Sequence, residues 1–193
     1  MDLVTRAKNI LLKPKEEWPV IAGETTNTAD LYKNYVAPLA AVPAVAGLIG
    51  MSLVGMPMVG RIGIGAGLVT MVVQYVLALA AVYVLALVID ALAPNFGAEK
   101  NMGQALKVAA YSMTAAWLAG IFAIIPMLGI LSILGLYSFY LLYLGLPVLM
   151  KAPAEKATLY TVVVVIVAIV IWLIIGAATG ILMPRPEFQI QGR

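Results

Sequence analysis

The chain has 193 residues, of which 63% are hydrophobic and only 11% are charged. Soluble domains carry about 25% charged residues, so the composition excludes an ordinary soluble protein. The sequence contains no cysteine and no histidine, which excludes disulfides, thiol nucleophiles, ordinary zinc sites and acid–base chemistry by histidine. The net charge of +3 is too small to indicate a surface for nucleic acid.

Four long stretches of the sequence contain no charged residue, namely residues 34–60, 62–89, 108–150 and 157–184. A helix needs about 20 apolar residues to cross the hydrocarbon core of a bilayer. The third stretch is long enough for two such helices, and each of the others fits one. The sequence therefore predicts an all-α integral membrane protein, a bundle of about five transmembrane helices with a short N-terminal amphipathic helix.

The amphipathic helix is the first element, predicted from Met1 to Lys13 and ended by Pro14. Its apolar face contains Leu3, Val4, Ala7, Ile10 and Leu11, and its polar face contains Arg6, Lys8, Asn9 and Lys13. Such a helix lies in the headgroup plane or packs against the cytosolic ends of the bundle, and the sequence leaves both open. Trp18 is predicted to anchor at the membrane interface. Residues 23–34 are predicted to form a polar loop, in which Thr28 caps a short turn.

The five spans are predicted, in chain order, at residues 35–54, 64–89, 105–125, 130–149 and 160–182. Pro126 and Gly129 mark a tight, uncharged hairpin between the third span and the fourth. The chain is thus divided into a cytosolic segment of residues 1–34, a transmembrane domain of residues 35–183 and a polar C-terminal tail of residues 184–193.

The distribution of lysine and arginine predicts the orientation of the spans. With the N-terminus in the cytoplasm, the inner side carries Arg6, Lys8, Lys13, Lys15, Lys33, Lys100, Lys107, Lys151 and Lys156, and the outer side carries Arg61, Arg185 and Arg193. Loops on the cytoplasmic side hold an excess of positive residues. We therefore expect a multi-pass protein of the cell inner (plasma) membrane, with the N-terminus cytoplasmic and the C-terminus outside.

Four side chains are candidates for an intramembrane or interfacial polar site, namely Gln74, Asp90, Lys107 and Tyr111. Asp90 is the carboxylate nearest to a span, and it is either a proton or cation site or an interfacial residue paired with Lys107. Gln74 lies within a predicted span, where hydrogen bonding between helices is its commonest role. The sequence has no second carboxylate inside a span, no phosphate-binding loop and no nucleophile elbow. We expect no catalytic residue, no metal site and no cofactor.

Four short strings of the sequence carry a resemblance to one membrane-protein family. They are Asp30-Leu31-Tyr32 followed by Pro38 and Leu39, Tyr83 to Pro94, Ala109 to Thr114, and Tyr143 to Met150. With these strings the chain resembles the Yip1 domain family, and most closely its short prokaryotic members, from Leu3 to about Gly180.

The resemblance implies a multi-spanning membrane protein. The eukaryotic members act in vesicle traffic and bind prenylated Rab-type GTPases through their cytosolic part. This sequence departs from that branch, because its cytosolic segment is short and five residues separate Tyr32 from Pro38. The resemblance places partner binding on the segment that contains Asp30, Leu31, Tyr32, Tyr35 and Pro38.

Two functions remain open from the sequence. The first is a non-enzymatic membrane adaptor or organiser, which recruits partners at the cytosolic face or shapes the bilayer. The alternative is a transporter, channel or lipid-moving protein, which works as an oligomer. The expected partners are membrane lipids, a protein at the cytosolic face and, for the alternative, further copies of the chain, but no nucleic acid.

Reporter fusions test the predicted orientation. A reporter that is active only outside the cytoplasm is expected to be active when it is fused after Arg193 and silent when it is fused at the N-terminus. The prediction rests on the excess of lysine and arginine on the inner side. The reverse pattern of activity would show that this charge excess does not set the orientation.

Overall fold

A computed structural model describes residues 2–55 and 60–182 of the chain. The protein is 87% helical, with no strand in these described ranges. The described residues contain 5 helical segments that are long and apolar enough to cross a membrane, Thr28–Val54, Ile64–Phe96, Met102–Ile124, Pro126–Leu149 and Ala154–Ala178. The predicted fold class, an all-α bundle of five spans, is confirmed.

The helices of the described chain are bounded as follows. They are α1 (Leu3–Leu12), α2 (Pro14–Gly23), α3 (Thr28–Leu31), α4 (Ala37–Leu48), α5 (Ile64–Leu92), α6 (Met102–Ser112), α7 (Thr114–Ala119), α8 (Tyr137–Leu149) and α9 (Ala154–Leu182). Two π-helical segments, Tyr32–Val36 and Ile49–Val54, flank α4, and three 3₁₀ segments lie at Ala93–Phe96, Gly120–Ile124 and Pro126–Leu136. The predicted tail at residues 184–193 lies outside the described residues.

The observed spans differ from the predicted ones at several of their ends. The first span begins at Thr28 rather than at residue 35, and the helix of the fifth begins at Ala154 rather than at residue 160. Thr28 is not a cap, contrary to expectation. Asn27 caps α3, since its side-chain oxygen accepts a hydrogen bond from the backbone N–H of Ala29 at 3.0 Å. Hydropathy cannot locate these ends, because the first turns of the helices are polar.

The two N-terminal helices, α1 and α2, form a helical hairpin that packs on the third and fourth spans. Helix α2 lies against α8, and α1 touches α7. On α1, Ala7 and Ile10 are buried, as the apolar face predicts, whereas Val4 on the same predicted face is 71% exposed. Arg6 was expected on the polar face but is buried, because α2 supplies its partners.

Trp18 fixes the hairpin to the bundle. Its side chain is fully buried, so its predicted role as an interfacial anchor is wrong. A Cβ atom at Gly145 of α8 would lie 2.7 Å from the Trp18 ring. Glycine at this position therefore allows the indole to pack directly on the backbone of the fourth span.

The substitution Gly145→Ala tests this packing. The added methyl group has no room beside the buried Trp18 ring, and overpacking of this kind lowers the free energy of unfolding by about 1–3 kcal/mol. We expect a lower melting temperature in detergent and faster trypsin cleavage after Lys15.

The matched control for this substitution is Gly47→Ala, because a Cβ at Gly47 meets no atom within 4 Å. It is expected to leave the melting temperature and the cleavage rate unchanged. Equal behaviour of the two variants would show that Trp18 does not hold the hairpin.

Candidate functional site

A cleft of about 690 Å³ opens between the base of the hairpin and the start of the first span. Asp2, Arg6 and Glu24 line it from the hairpin, and Asp30 and Asn34 line it from the other side. The cleft thus joins the N-terminal helices to the segment that the sequence assigned to partner binding.

A buried ion network forms the wall of the cleft. Arg6 is only 4% exposed, and its Nη1 donates to Glu17 Oε1 at 2.5 Å. Its Nη2 donates to Glu24, and its guanidinium lies 5.7 Å from the centre of the Tyr111 ring. Burial by itself lowers the pKa of Arg6, but the hydrogen bond and the charge of Glu24 raise it above its usual value. The guanidinium therefore remains charged and binds both carboxylates.

Lys107 holds the C-terminal end of α2. The side chain is buried, and its Nζ donates to the backbone oxygen of Ile21 at 2.9 Å and to that of Glu24. A cation at this position satisfies carbonyls that have no partner inside the helix. Gln104, one turn earlier on α6, donates from Nε2 to the Ala22 oxygen at 3.0 Å. The third span therefore anchors the base of the hairpin with two side chains.

Two tyrosines of the predicted binding segment join the first span to the bundle. The Tyr35 hydroxyl and the Thr114 Oγ1 lie 2.7 Å apart, and the Tyr35 and Tyr111 rings have centres 4.5 Å apart. The Tyr32 hydroxyl donates to the Leu79 oxygen at 3.0 Å. Because both hydroxyls have partners inside the protein, these tyrosines position the segment. Asp30, at the N-terminal end of the segment, remains exposed.

The structure brings together only part of the predicted site. Four of the predicted residues line the cleft, namely Asp30, Leu31, Tyr35 and Tyr111. Tyr32 and Pro38 are absent from the cleft lining, and Pro38 is exposed. Lys107 is joined to the cleft through the backbone of Glu24.

Asp90 and Gln74 lie away from the cleft. The predicted pairing of Asp90 with Lys107 is wrong, since Lys107 points to α2 while Asp90 Oδ2 lies 3.9 Å from Lys100 Nζ. The chain reverses between α5 and α6, and this places Lys100 beside Asp90. Gln74 is exposed on α5, on the surface that the second span turns away from the other helices.

The residues that sequence reasoning missed are Arg6, Glu17 and Glu24. Helical spacing contained an indication for two of them. Arg6 follows Leu3 by three residues and precedes Ile10 by four, and Glu17 precedes Ile21 by four, so each lies on an inward face. Both residues are charged, and a charged residue is predicted to face inward only when a partner for it is known.

The substitution Arg6→Ala tests the network. It leaves Glu17 buried without a partner, and removal of one member of a buried ion pair costs about 3–5 kcal/mol. We expect a large loss of stability in detergent and rapid protease cleavage of the hairpin. The control is Lys151→Ala, which breaks the exposed ion pair at 2.7 Å between Lys151 and Glu99. The control is expected to cost less than about 1 kcal/mol, and a similarly small cost for Arg6→Ala would contradict a structural role for the network.

Comparison with known proteins identifies the family. The family model of the Yip1 domain matches residues 8–175, which is most of the chain. No curated protein matches the chain, and no solved structure matches it. The match includes most of the hairpin, the segment from Asp30 to Pro38, the first four spans and most of the fifth. The chain is therefore a multi-pass membrane protein that belongs to the Yip1 domain family.

Proposed function

We propose that the protein is a non-enzymatic membrane adaptor and organiser, which recruits a protein partner at its cytosolic face and shapes the surrounding bilayer. The observation that carries the proposal is the cleft of about 690 Å³ between the hairpin and the first span. Its walls are held by the Arg6 network and by Lys107. A preformed cleft binds a partner without the cost of ordering its own side chains.

The charges at the cleft favour a basic partner. Asp2, Glu24 and Asp30 supply three carboxylates, while the one arginine of the lining, Arg6, is already bound to Glu17 and Glu24. Hydrogen bonds from Thr5 hold the pKa of Asp2 below its usual value, so that this carboxylate is ionised at neutral pH. A segment with lysine or arginine side chains complements this surface.

The orientation that this proposal requires is N-terminus cytoplasmic in the inner membrane, with the C-terminus outside. It is supported by the excess of lysine and arginine on the side of the hairpin. The buried charges of Arg6 and Glu17 also belong to the hairpin, and charge is expensive inside a bilayer.

A transport oligomer remains the second candidate because of Gln74. This side chain is exposed on α5 within a strongly apolar span. An amide that faces lipid lacks hydrogen-bond partners, whereas a second copy of the chain would supply them. Lipid or a neutral solute is the class of substrate that fits the low charge of the spans.

Photo-crosslinking in cells tests the adaptor proposal. A photoreactive amino acid in place of Thr25, an exposed residue at the cleft, is expected to capture a reproducible protein partner. Asp30→Ala is expected to weaken the crosslink at least severalfold, because it removes an exposed carboxylate from the cleft.

The matched control is Glu99→Ala, which removes an exposed carboxylate on another loop and is expected to leave the crosslink intact. Capture of lipid alone would contradict recruitment of a protein. Capture of a second copy that is lost with Gln74→Leu would favour the transport oligomer, which flux measurements in liposomes would then examine.

A further inference from the structure

The carboxylates that line the cleft differ in how far the fold already uses them. Asp2 accepts two hydrogen bonds from Thr5, and Glu24 Oε1 accepts one from Arg6. Asp30, on the opposite side, is exposed, and its side chain forms no hydrogen bond or ion pair with any residue that the structure describes. The cleft therefore presents one carboxylate that the fold leaves unused, together with the second oxygen of Glu24.

Tyr111 supplies an unused polar group at the floor of the cleft. The residue lines the cleft although it is only 5% exposed. Its ring contacts Trp18, Tyr35 and Arg6, but its hydroxyl has no hydrogen-bond partner in the described part of the chain. The hydroxyl oxygen is not sealed off by protein atoms, so it faces the space of the cleft.

The other tyrosines show that this unused hydroxyl is a local feature. Among the described residues, the tyrosines that are buried or half-buried are Tyr32, Tyr35, Tyr75, Tyr111 and Tyr160. All of these except Tyr111 use their hydroxyls in a hydrogen bond inside the bundle. A buried tyrosine hydroxyl normally has a partner. At Tyr111 this points to a partner that comes from outside the chain.

The charge around this hydroxyl selects a cation. Asp2, Glu24 and Asp30 line the cleft together with one arginine, Arg6. The Arg6 guanidinium is already neutralised by its ion pairs with Glu17 and Glu24. A phosphate or carboxylate that entered the cleft would therefore be repelled, and a positively charged group would be attracted.

The unused acceptors suit an ammonium better than a guanidinium. A guanidinium binds best as a planar fork on a carboxylate, and Glu24 already receives the guanidinium of Arg6. An ammonium is a compact charge with three donors and needs no planar partner. The unused acceptors are the Tyr111 hydroxyl, the second oxygen of Glu24 and the Asp30 carboxylate. Leu3 and Leu31 also line the cleft and offer apolar contact to the stem of a lysine.

We propose that the cleft binds the side-chain ammonium of one lysine of the partner protein, with Tyr111, Glu24 and Asp30 as its acceptors. The inference rests on the proposed function and deepens it, because it replaces a generally basic segment by a single lysine that reaches the floor of the cleft. Tyr111 is then a residue that determines specificity, since its hydroxyl binds only a donor that passes the carboxylates at the rim.

Saturation-transfer NMR on the purified full chain tests this site. The chain is held in nanodiscs of phosphatidylcholine, a lipid without a primary amine, and the probe is N-acetyl-lysine methylamide. The probe is expected to bind saturably. N-acetyl-norleucine methylamide has the same carbon stem without the ammonium, and it is expected to bind at least about fivefold more weakly, as is N-acetyl-arginine methylamide. Equal binding of the arginine probe would overturn the assignment to lysine.

Two variants locate the bound probe. Tyr111→Phe keeps the ring and removes the hydroxyl, and Asp30→Asn removes a charge at nearly constant size. Each is expected to weaken binding of the lysine probe at least about fivefold and to leave the melting temperature unchanged. The matched controls are Tyr83→Phe and Glu99→Gln, two exposed residues outside the cleft, which are expected to bind the probe as the parent does. Unchanged binding by Tyr111→Phe would contradict the site.

A phospholipid with an ethanolamine headgroup is the competing source of an ammonium. O-phosphoethanolamine is expected to bind more weakly than the lysine probe, because Asp2 and Asp30 repel its phosphate. Tighter binding of this probe would replace the lysine by a lipid headgroup.

Failure of this site and failure of recruitment are distinguishable. A partner crosslinked from Thr25 that is captured equally well by Tyr111→Phe would overturn the lysine site and leave the adaptor in place. Saturable binding of the lysine probe without any captured protein would support the site and contradict recruitment.

Discussion

A buried guanidinium that binds two carboxylates holds the N-terminal hairpin of this protein together. Arg6 connects α1 to Glu17 within α2 and to Glu24 just beyond it. Arg6 and Glu17 are buried, and an unpaired buried charge is far more costly than an exposed one. The network therefore admits a single arrangement of the two helices. Trp18 can then pack on Gly145, and the cleft acquires a fixed wall.

The third span fixes the other side of this arrangement. Lys107 and Gln104 bind backbone oxygens at the end of α2, and Tyr111 contacts the rings of Trp18 and Tyr35. One helix thus contacts the hairpin and the first span at the same time. Anything that binds in the cleft touches side chains whose positions depend on the bundle.

Polar groups near the membrane are distributed unevenly, and this bears on function. Exposed lysines lie at the hairpin and at the start of the first span. Gln74 is a separate polar group on the surface of the second span. Recruitment at the cleft and self-association through Gln74 would therefore use different surfaces of one molecule.

The sequence by itself determined the membrane class, the five spans and the family, because long uncharged stretches have few alternatives in a bilayer. It also placed Asp30 and Tyr35 in one segment, since they are neighbours in the chain. Only the tertiary structure decided that Arg6 and Trp18 are buried and that Lys107 binds α2 rather than Asp90. Helical periodicity shows which residues share a face, but the environment of that face depends on a partner element elsewhere in the chain. For a charged residue, that partner determines whether the side chain is buried or exposed.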